Sequence, residues 1–142
     1  MRVLVLFPGG LGDLLCCWPA LAARRARAGT HLTLAAHPAW FDALPEAAVT
    51  PLSIDRREIA DLFARSPLAD ATRRLLGGHD AVVSWSGHGD ANFAARLADA
   101  AGAPVLVHPF RDFRPGEHAS AYYARGLGVA PRVEPLPLRA AS

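Results

Sequence analysis

The 142-residue sequence contains no lysine, so all 15 of its basic residues are arginine, and its net charge is only +2. Several arginines occur in pairs, such as Arg24–Arg25, Arg56–Arg57 and Arg73–Arg74. No aromatic residues are interleaved with them, which favours solvated helix faces over a nucleic-acid surface. We therefore expect no nucleic-acid partner.

Cysteine is nearly absent. The only two cysteines, Cys16 and Cys17, are adjacent. Neighbours in sequence do not readily close a disulfide of normal geometry, and a single pair cannot complete a zinc site. We interpret both as small core residues of a protein in a reducing compartment.

Long apolar runs are also missing. The segment from Arg2 to Leu21 has some features of a signal peptide, but Pro8-Gly9-Gly10 interrupts it and Asp13 places a charge at its middle. No uninterrupted run approaches the ~20 residues that a transmembrane helix needs. The sequence therefore favours a cytoplasmic location.

Short apolar runs alternate along the chain with segments of helical periodicity. Strands are predicted at residues 3–7, 32–36, 49–54, 80–85 and 104–108. Helices are predicted from Asp13 to the arginines near residue 25, and at 39–44, 56–62, 68–76, 90–101 and 118–127. This alternation predicts a single α/β domain over residues 1–128, a Rossmann-like three-layer α/β/α fold with a mainly parallel sheet and strand one at its centre.

Pro19 falls inside the pattern of the first helix. A proline there removes the hydrogen bond to the Leu15 carbonyl and costs about 3 kcal/mol unless it is compensated. The sequence therefore predicts either a kink at Pro19 or a regular helix that begins near Trp18.

The most distinctive motif is the turn Gly9-Gly10-Leu11-Gly12-Asp13, which follows the first predicted strand. A glycine turn before a helix often holds a phosphate on its backbone amides. Here the carboxylate of Asp13 would repel a pyrophosphate, and residues 34–37 offer no acid to hold a ribose. We therefore expect the chain to use no NAD or FAD cofactor.

Asp13 itself has two interpretations. It is a good helix-capping residue, because aspartate is favoured at helix N-termini. It is also a candidate general base, because the helix N-terminus stabilises its ionised form. One residue can fill both roles, and the spacing alone leaves them open.

The segment from Arg2 to Leu21 resembles the opening of the ADP-heptose:lipopolysaccharide heptosyltransferases, glycosyltransferase family 9. The shared pattern is an apolar strand, a short turn, Gly12-Asp13, an apolar pair and Pro19-x-Leu21. Weaker likeness continues at residues 32–38, 80–87 and 118–127. The chain departs from the family pattern at Phe7, where an Arg or Lys is common, and at Ser84 and Ser86, where Asp and Gln are usual.

The resemblance implies a GT-B enzyme of two Rossmann-like halves, of which this chain is the acceptor-binding N-terminal half. Residues 129–142, which are rich in proline, would be a linker or tail toward an absent donor-binding domain, without which the chain would be inactive. Asp13 would be the catalytic base of an inverting transfer from a nucleotide-sugar donor to a lipopolysaccharide-type glycolipid or sugar acceptor. Such enzymes need no metal or other cofactor, and the acceptor leaves room for peripheral contact with the inner membrane surface.

Binding residues are expected at the carboxyl edge of the parallel sheet, where ligand sites form. Three groups of residues fall there and are predicted to bind substrate: Gly9, Gly10, Leu11 and Gly12 of the turn; Trp85, Ser86 and Gly87 after strand four; and Arg111 and Arg114 after strand five. Among these, Trp85 is the aromatic residue best placed to stack on a sugar. The two arginines are candidates for contact with an anionic acceptor.

Other chemistries find less support. His88, Asp90 and His108 lie at the same predicted edge but lack the spacing of a metal-ligand motif, so no metal is expected. No Gly-x-Ser-x-Gly elbow is present, which argues against a serine hydrolase. Two alternatives to a transferase stay open: a non-catalytic Rossmann-like binding or interaction domain, and a nucleotide-binding enzyme that uses the glycine turn.

Overall fold

Strand β1 (Arg2–Leu6) is the centre of a five-stranded parallel sheet in the computed structural model, which describes residues 1–45 and 49–130. The other strands are β2 (His31–Ala36), β3 (Thr50–Ser53), β4 (Ala81–Ser84) and β5 (Val105–Val107). Their order is β3-β2-β1-β4-β5, and each neighbouring pair is parallel. The predicted α/β fold with a central first strand is confirmed.

Five α-helices cover the two faces of this sheet. They are α1 (Leu11–Arg25), α2 (Arg57–Ala60), α3 (Asp70–Leu76), α4 (Ala91–Ala101) and α5 (Ala119–Leu127). Helices α1 and α5 pack on one face, while α2, α3 and α4 pack on the other. Within the described ranges, no helix has the length and apolar character that a membrane span would require.

The burial of β1 on both faces explains its uninterrupted apolar sequence. Val3, Val5 and Phe7 contribute to the core beneath α1 and α5, whereas Leu4 and Leu6 belong to the opposite core. All five side chains are fully buried. A strand covered by helices on both sides has no solvent-facing positions and therefore shows no polar alternation.

The start of α1 differs from the prediction. The helix begins at Leu11 rather than Asp13, because the Leu14 amide donates to the Gly10 carbonyl at 3.0 Å and closes the first turn. The helix also continues through Pro19, so the predicted start near Trp18 is wrong. Pro19 is buried, and its apolar ring adds to the face that α1 packs against the sheet.

The shorter predicted helices also change in form. The segment predicted at residues 39–44 is a 3-10 helix, Pro38–Ala43, with His37 as its cap. The segment predicted at 56–62 divides into α2 and a 3-10 turn, Asp61–Phe63. Most of the predicted tail, residues 131–142, lies outside the described residues. Val129, at its start, packs against the core beneath α1 and α5.

A matched pair of leucine substitutions tests this arrangement of the core. Leu97 of α4 is fully buried, whereas Leu106 of the edge strand β5 is 57% exposed. Leu97→Ala should lower the free energy of unfolding by about 2–5 kcal/mol, because it leaves a cavity. Leu106→Ala should lower it by less than about 1 kcal/mol. Equal losses in urea unfolding would contradict the packing of α4 on the sheet.

Candidate functional site

The loops after β1 and β4 meet at the carboxyl edge of the sheet. From β1 the chain proceeds outward through β2 and β3, then returns to place β4 on the other side of β1. Such a reversal between neighbouring strands is where open α/β sheets bind their ligands. The loop after β5 lies beside β4 at this same edge.

Gly9 allows β1 to turn tightly into α1. A Cβ atom at this buried position would lie 2.7 Å from Cζ of Phe110 and 2.9 Å from both Cβ of Asp13 and Cε1 of Phe7. The Gly9 carbonyl accepts a hydrogen bond from Nε1 of Trp40 at 3.1 Å. The absence of a side chain at Gly9 is therefore a packing requirement of this turn.

The other residues of the turn are accessible. Gly10 and Gly12 are exposed and Leu11 is half-buried, at the N-terminal end of α1. A Cβ atom at Gly12 would meet no atom within 4 Å. The amides of a first helical turn have no backbone partner within the helix. The predicted binding role of Gly10, Leu11 and Gly12 stays a prediction, and Gly9 is buried beneath Phe110.

Asp13 is the third residue of α1, and its side chain folds back over the helix start. Its Oδ2 accepts a hydrogen bond from the Gly10 amide at 3.2 Å. This contact satisfies one of the amides left free at the helix N-terminus, and the positive end of the helix stabilises the carboxylate. The structure thus gives Asp13 a capping function from inside the first turn, which leaves a catalytic role open.

Arg111 forms an ion pair with Asp13 from the loop after β5. Its Nε donates to Oδ1 at 2.9 Å and its Nη2 donates to Oδ2 at 2.8 Å. The side chain of Asp13 is 17% exposed and that of Arg111 is 59% exposed. Both residues were predicted at this edge, and the structure brings them into direct two-point contact.

Phe110 positions Arg111. The Phe110 ring packs edge-on against Phe7, with ring centroids 5.9 Å apart, and the Arg111 guanidinium lies 5.5 Å from the Phe110 centroid. The backbone of Arg111 has φ of 61°, and it is the only non-glycine residue with positive φ in the described ranges. A bulky residue in this region is an outlier that needs support from its surroundings.

Trp85 does not present its ring to solvent. It is only 2% exposed. Its indole packs among three aromatic side chains, those of Phe7, Tyr123 and His108, at centroid distances of 6.1, 5.3 and 5.8 Å. This burial corrects the expectation that Trp85 stacks on a sugar, because neither face of the ring is free.

Local hydrogen bonds fix the loop after β4. Ser84 is buried, and its hydroxyl accepts from the Ser86 amide at 3.0 Å and donates to the Ser86 carbonyl at 2.9 Å. Gly87 has φ of 78°, and a Cβ there would lie 2.1 Å from the Phe93 ring. Ser86 and Gly87 are half-buried at the carboxyl edge of the sheet, where their role in substrate binding stays a prediction, and Ser84 stabilises the turn.

Arg114, in the same loop, has different neighbours from Arg111. Its backbone amide donates to Glu117 at 3.0 Å, and its side chain helps to line a cavity of about 130 Å³ next to α5. Arg125 contacts Glu117 through two hydrogen bonds of 3.1 and 3.0 Å, and this pairing lowers the pKa of Glu117. The two predicted arginines therefore do not converge on one point.

Tyr123 lies in the core directly behind Phe7. Its ring packs edge-on against Phe7, and its buried hydroxyl has no hydrogen-bond partner within the described part of the chain. Burial raises the pKa of Tyr123 well above its usual value, and the nearby Cys17 and Asp13 raise it further. Tyr123 is therefore neutral and places an uncharged hydroxyl in the core behind Phe7.

The three residues considered as metal ligands, His88, Asp90 and His108, do not form a common group. Asp90 caps α4 by accepting the Phe93 amide at 3.1 Å, and the ring nitrogen Nε2 of His108 pairs with the Gly126 carbonyl at 3.0 Å. His88 is exposed. Over residues 1–45 and 49–130, no three His, Cys, Asp or Glu side chains form a group that could hold a metal ion.

Solved structures of glycosyltransferases share this fold. The glycosyl transferase family 9 protein from Veillonella parvula DSM 2008 matches 99% of this chain with a TM-score of 0.66 and 20% sequence identity. The Escherichia coli heptosyltransferase WaaC with ADP matches 96% of it with a TM-score of 0.55 and 21% identity. The same enzyme with ADP-2-deoxy-2-fluoro heptose matches 95%, with a TM-score of 0.51 and 23% identity.

The match covers only part of each of these proteins. The chain spans 45% of the length of the Veillonella protein and 50% and 51% of the two WaaC chains. No protein-family model and no curated protein sequence matches the chain. At this level of identity the comparison shows that the chain has the fold of about half of a heptosyltransferase-like glycosyltransferase.

Two glycine substitutions separate packing from exposure in the turn. Gly9→Ala should lower the free energy of unfolding by about 1–3 kcal/mol, because its methyl group would overlap Phe110 and Asp13. Gly12→Ala should raise it by up to about 1 kcal/mol, because the site is open and alanine favours a helix. Urea unfolding of both variants measures the difference, and a tolerated Gly9→Ala would contradict the close approach of the two loops.

Proposed function

We propose that this chain is the acceptor-binding domain of an inverting heptosyltransferase-like glycosyltransferase, with Asp13 as the general base. The observation that carries the proposal is the position of Asp13. Its carboxylate lies at the start of α1, beside the reversal point between β1 and β4, in a fold shared with glycosyltransferases. A carboxylate at this edge lies where open α/β sheets bind their ligands, and it would be within reach of a substrate hydroxyl once Arg111 moves aside.

The proposed reaction is a single displacement. The acceptor hydroxyl oxygen attacks the anomeric carbon of the donor sugar while Asp13 accepts the hydroxyl proton. A new glycosidic bond forms as the bond between the anomeric carbon and the diphosphate oxygen breaks, and the nucleoside diphosphate leaves with its electron pair. Attack opposite the leaving group inverts the anomeric configuration. The chemistry requires a positioned base and a stabilised leaving group, and it uses no redox cofactor.

The donor in this proposal is a nucleotide-sugar held by a second domain. The WaaC structures contain ADP and ADP-2-deoxy-2-fluoro heptose, which supports a donor of this class. Because the present chain matches about half of those proteins, we assign the donor site to the other half. Residues 129–142 would then be the connection to it, and the transfer would depend on both halves.

The acceptor would bind across the carboxyl edge. The accessible residues there are Gly10, Leu11 and Gly12 of the turn, Ser86 and Gly87 of the loop after β4, and the exposed side chains of Arg111 and Arg114. Arginine forks recognise carboxylates and phosphates, which favours an anionic sugar or glycolipid acceptor. A glycolipid acceptor would bring the domain to the inner membrane surface in a cytoplasmic location.

Two partly exposed aromatic rings suit an interface with the second half. Phe113, in the loop after β5, is 41% exposed, and Phe63, which stacks on Phe93 beneath Gly87, is 49% exposed. Large apolar side chains exposed near a ligand edge are typical of surfaces that another domain covers. Both rings lie close to the loops assigned to the acceptor.

A non-catalytic binding domain of the same fold is the second candidate. Ser84 is engaged in a local turn, and the resembling family usually has an acid at this position. Arg111 also occupies both oxygens of Asp13. A domain that has lost its transferase activity would retain the fold and the Asp13 cap, which makes the activity of an Asp13 variant the deciding observation.

Asp13→Asn separates the base from the cap. In the protein assayed together with its donor-binding half and an ADP-sugar, the variant should lose about 10²–10⁴-fold in kcat, because the amide cannot accept the acceptor proton. Its side-chain oxygen can still accept the Gly10 amide, so the thermal unfolding midpoint should change little.

Asp70→Asn provides the control. Asp70 also lies in the first turn of a helix, on the opposite face of the sheet. Its substitution should leave turnover unchanged. Normal turnover in Asp13→Asn would refute the catalytic role of Asp13 and favour the binding domain.

A further inference from the structure

We infer that the Arg111 side chain has two positions, the observed one, in which it covers the Asp13 carboxylate, and a second, in which an oxyanion of the acceptor holds it away from Asp13. The base would then become available only when an acceptor with this group is bound. The inference rests on the proposed function for the role of Asp13. Its structural basis, the exchange of Arg111 between two oxyanions, can be tested without any transfer reaction.

The carboxylate of Asp13 is largely occupied in the observed state. A carboxylate offers about four lone-pair directions to hydrogen-bond donors. Arg111 takes one on each oxygen, and the Gly10 amide takes a second one on Oδ2. One direction on Oδ1 remains. A substrate hydroxyl that approaches the side of the carboxylate now covered by the guanidinium would have to displace Arg111.

The Arg111–Asp13 pair differs from the structural ion pair of this fold. Arg96 and Asp61 are both shielded, with side chains 12% and 17% exposed, and Arg96 also donates to the backbone carbonyls of Asp61 and Ser66. Arg111 is 59% exposed, and its described hydrogen bonds are all to Asp13. Asp13 is as shielded as Asp61, so the two pairs differ at the arginine: the exposed guanidinium of Arg111 can reach another oxyanion, whereas Arg96 is enclosed and held by further acceptors.

The loop geometry allows the Arg111 side chain to move while its backbone stays in place. Phe110 is held between Phe7 and the Gly9 backbone, so the residue before Arg111 is anchored. The positive φ of Arg111, 61°, directs its side chain back toward Asp13. Non-glycine residues in this conformation are concentrated at ligand-binding and switching positions. A rotation of the side chain alone would release Asp13.

An oxyanion is the ligand chemistry that can compete for Arg111. A guanidinium fork fits a carboxylate or a phosphate through two parallel hydrogen bonds, which is the contact it now forms with Asp13. The structure is compatible with either a phosphate or a carboxylate on the acceptor.

Nuclear magnetic resonance of the 142-residue chain can follow this exchange directly. The Nε–H signal of Arg111 is recorded while inorganic phosphate or acetate is added, and the more tightly bound probe identifies the kind of oxyanion. We expect the signal to shift with saturation. In Asp13→Asn, where no competing carboxylate is present, the same probe should bind up to about fivefold more tightly. The backbone amide signals of Gly10, Gly12 and Asp112 are followed in the same titrations, and in Arg111→Ala, where the Nε–H signal is absent, they should show that most of the binding is lost.

Two control variants separate the exchange from general electrostatics. Asp112→Asn removes an exposed carboxylate next to Arg111 in the same loop, and Arg74→Ala removes an exposed arginine from α3. Both should bind the probe nearly as the unmodified chain does. The inference is overturned if neither probe binds, if Arg111→Ala binds as well as the unmodified chain, or if Asp13→Asn gains no more affinity than Asp112→Asn. Normal turnover in Asp13→Asn would instead refute only the proposed function, because these titrations involve no transfer.

Discussion

The close approach of two loops over Gly9 is the constraint on which the candidate site depends. Because Gly9 has no side chain, the Phe110 ring can lie against the β1–α1 turn and pack on Phe7. This contact connects the loop after β5 to the start of α1, although β4 separates the two strands in the sheet. It also brings Arg111 to Asp13. A side chain at Gly9 would separate Asp13 from Arg111.

The sequence was sufficient for the fold, but it could not reveal the pairing between Asp13 and Arg111. The apolar run of β1 and the helical periodicity of α4 are local signals, and each strand end could be placed at the carboxyl edge. The contact between Asp13 and Arg111 joins residues 98 positions apart and depends on the φ of one loop residue. No periodicity encodes such a contact.

The sequence contained a signal that Trp85 is buried, although we expected it to stack on a sugar. Side chains alternate along a strand, so Trp85 faces the same side as Val83, toward α1 and α5. A residue just after a strand that faces the same side as the buried residues of that strand is expected to be buried as well. Phe7 follows the same rule at the end of β1, and it is fully buried. Where the resembling family often has a basic residue, this chain has Phe7, and the cation beside Asp13 is Arg111 from another loop.

The central claim is that the carboxylate of Asp13 accepts the acceptor proton, and chemical rescue tests it most directly. Asp13→Ala removes the carboxylate and leaves space for a small one, so formate added to the transfer assay should restore part of the lost turnover. The restored rate should increase with formate concentration until the space is saturated, whereas chloride at equal ionic strength should have no effect. Turnover in Asp13→Ala that is close to that of the unmodified protein and indifferent to formate would contradict the account.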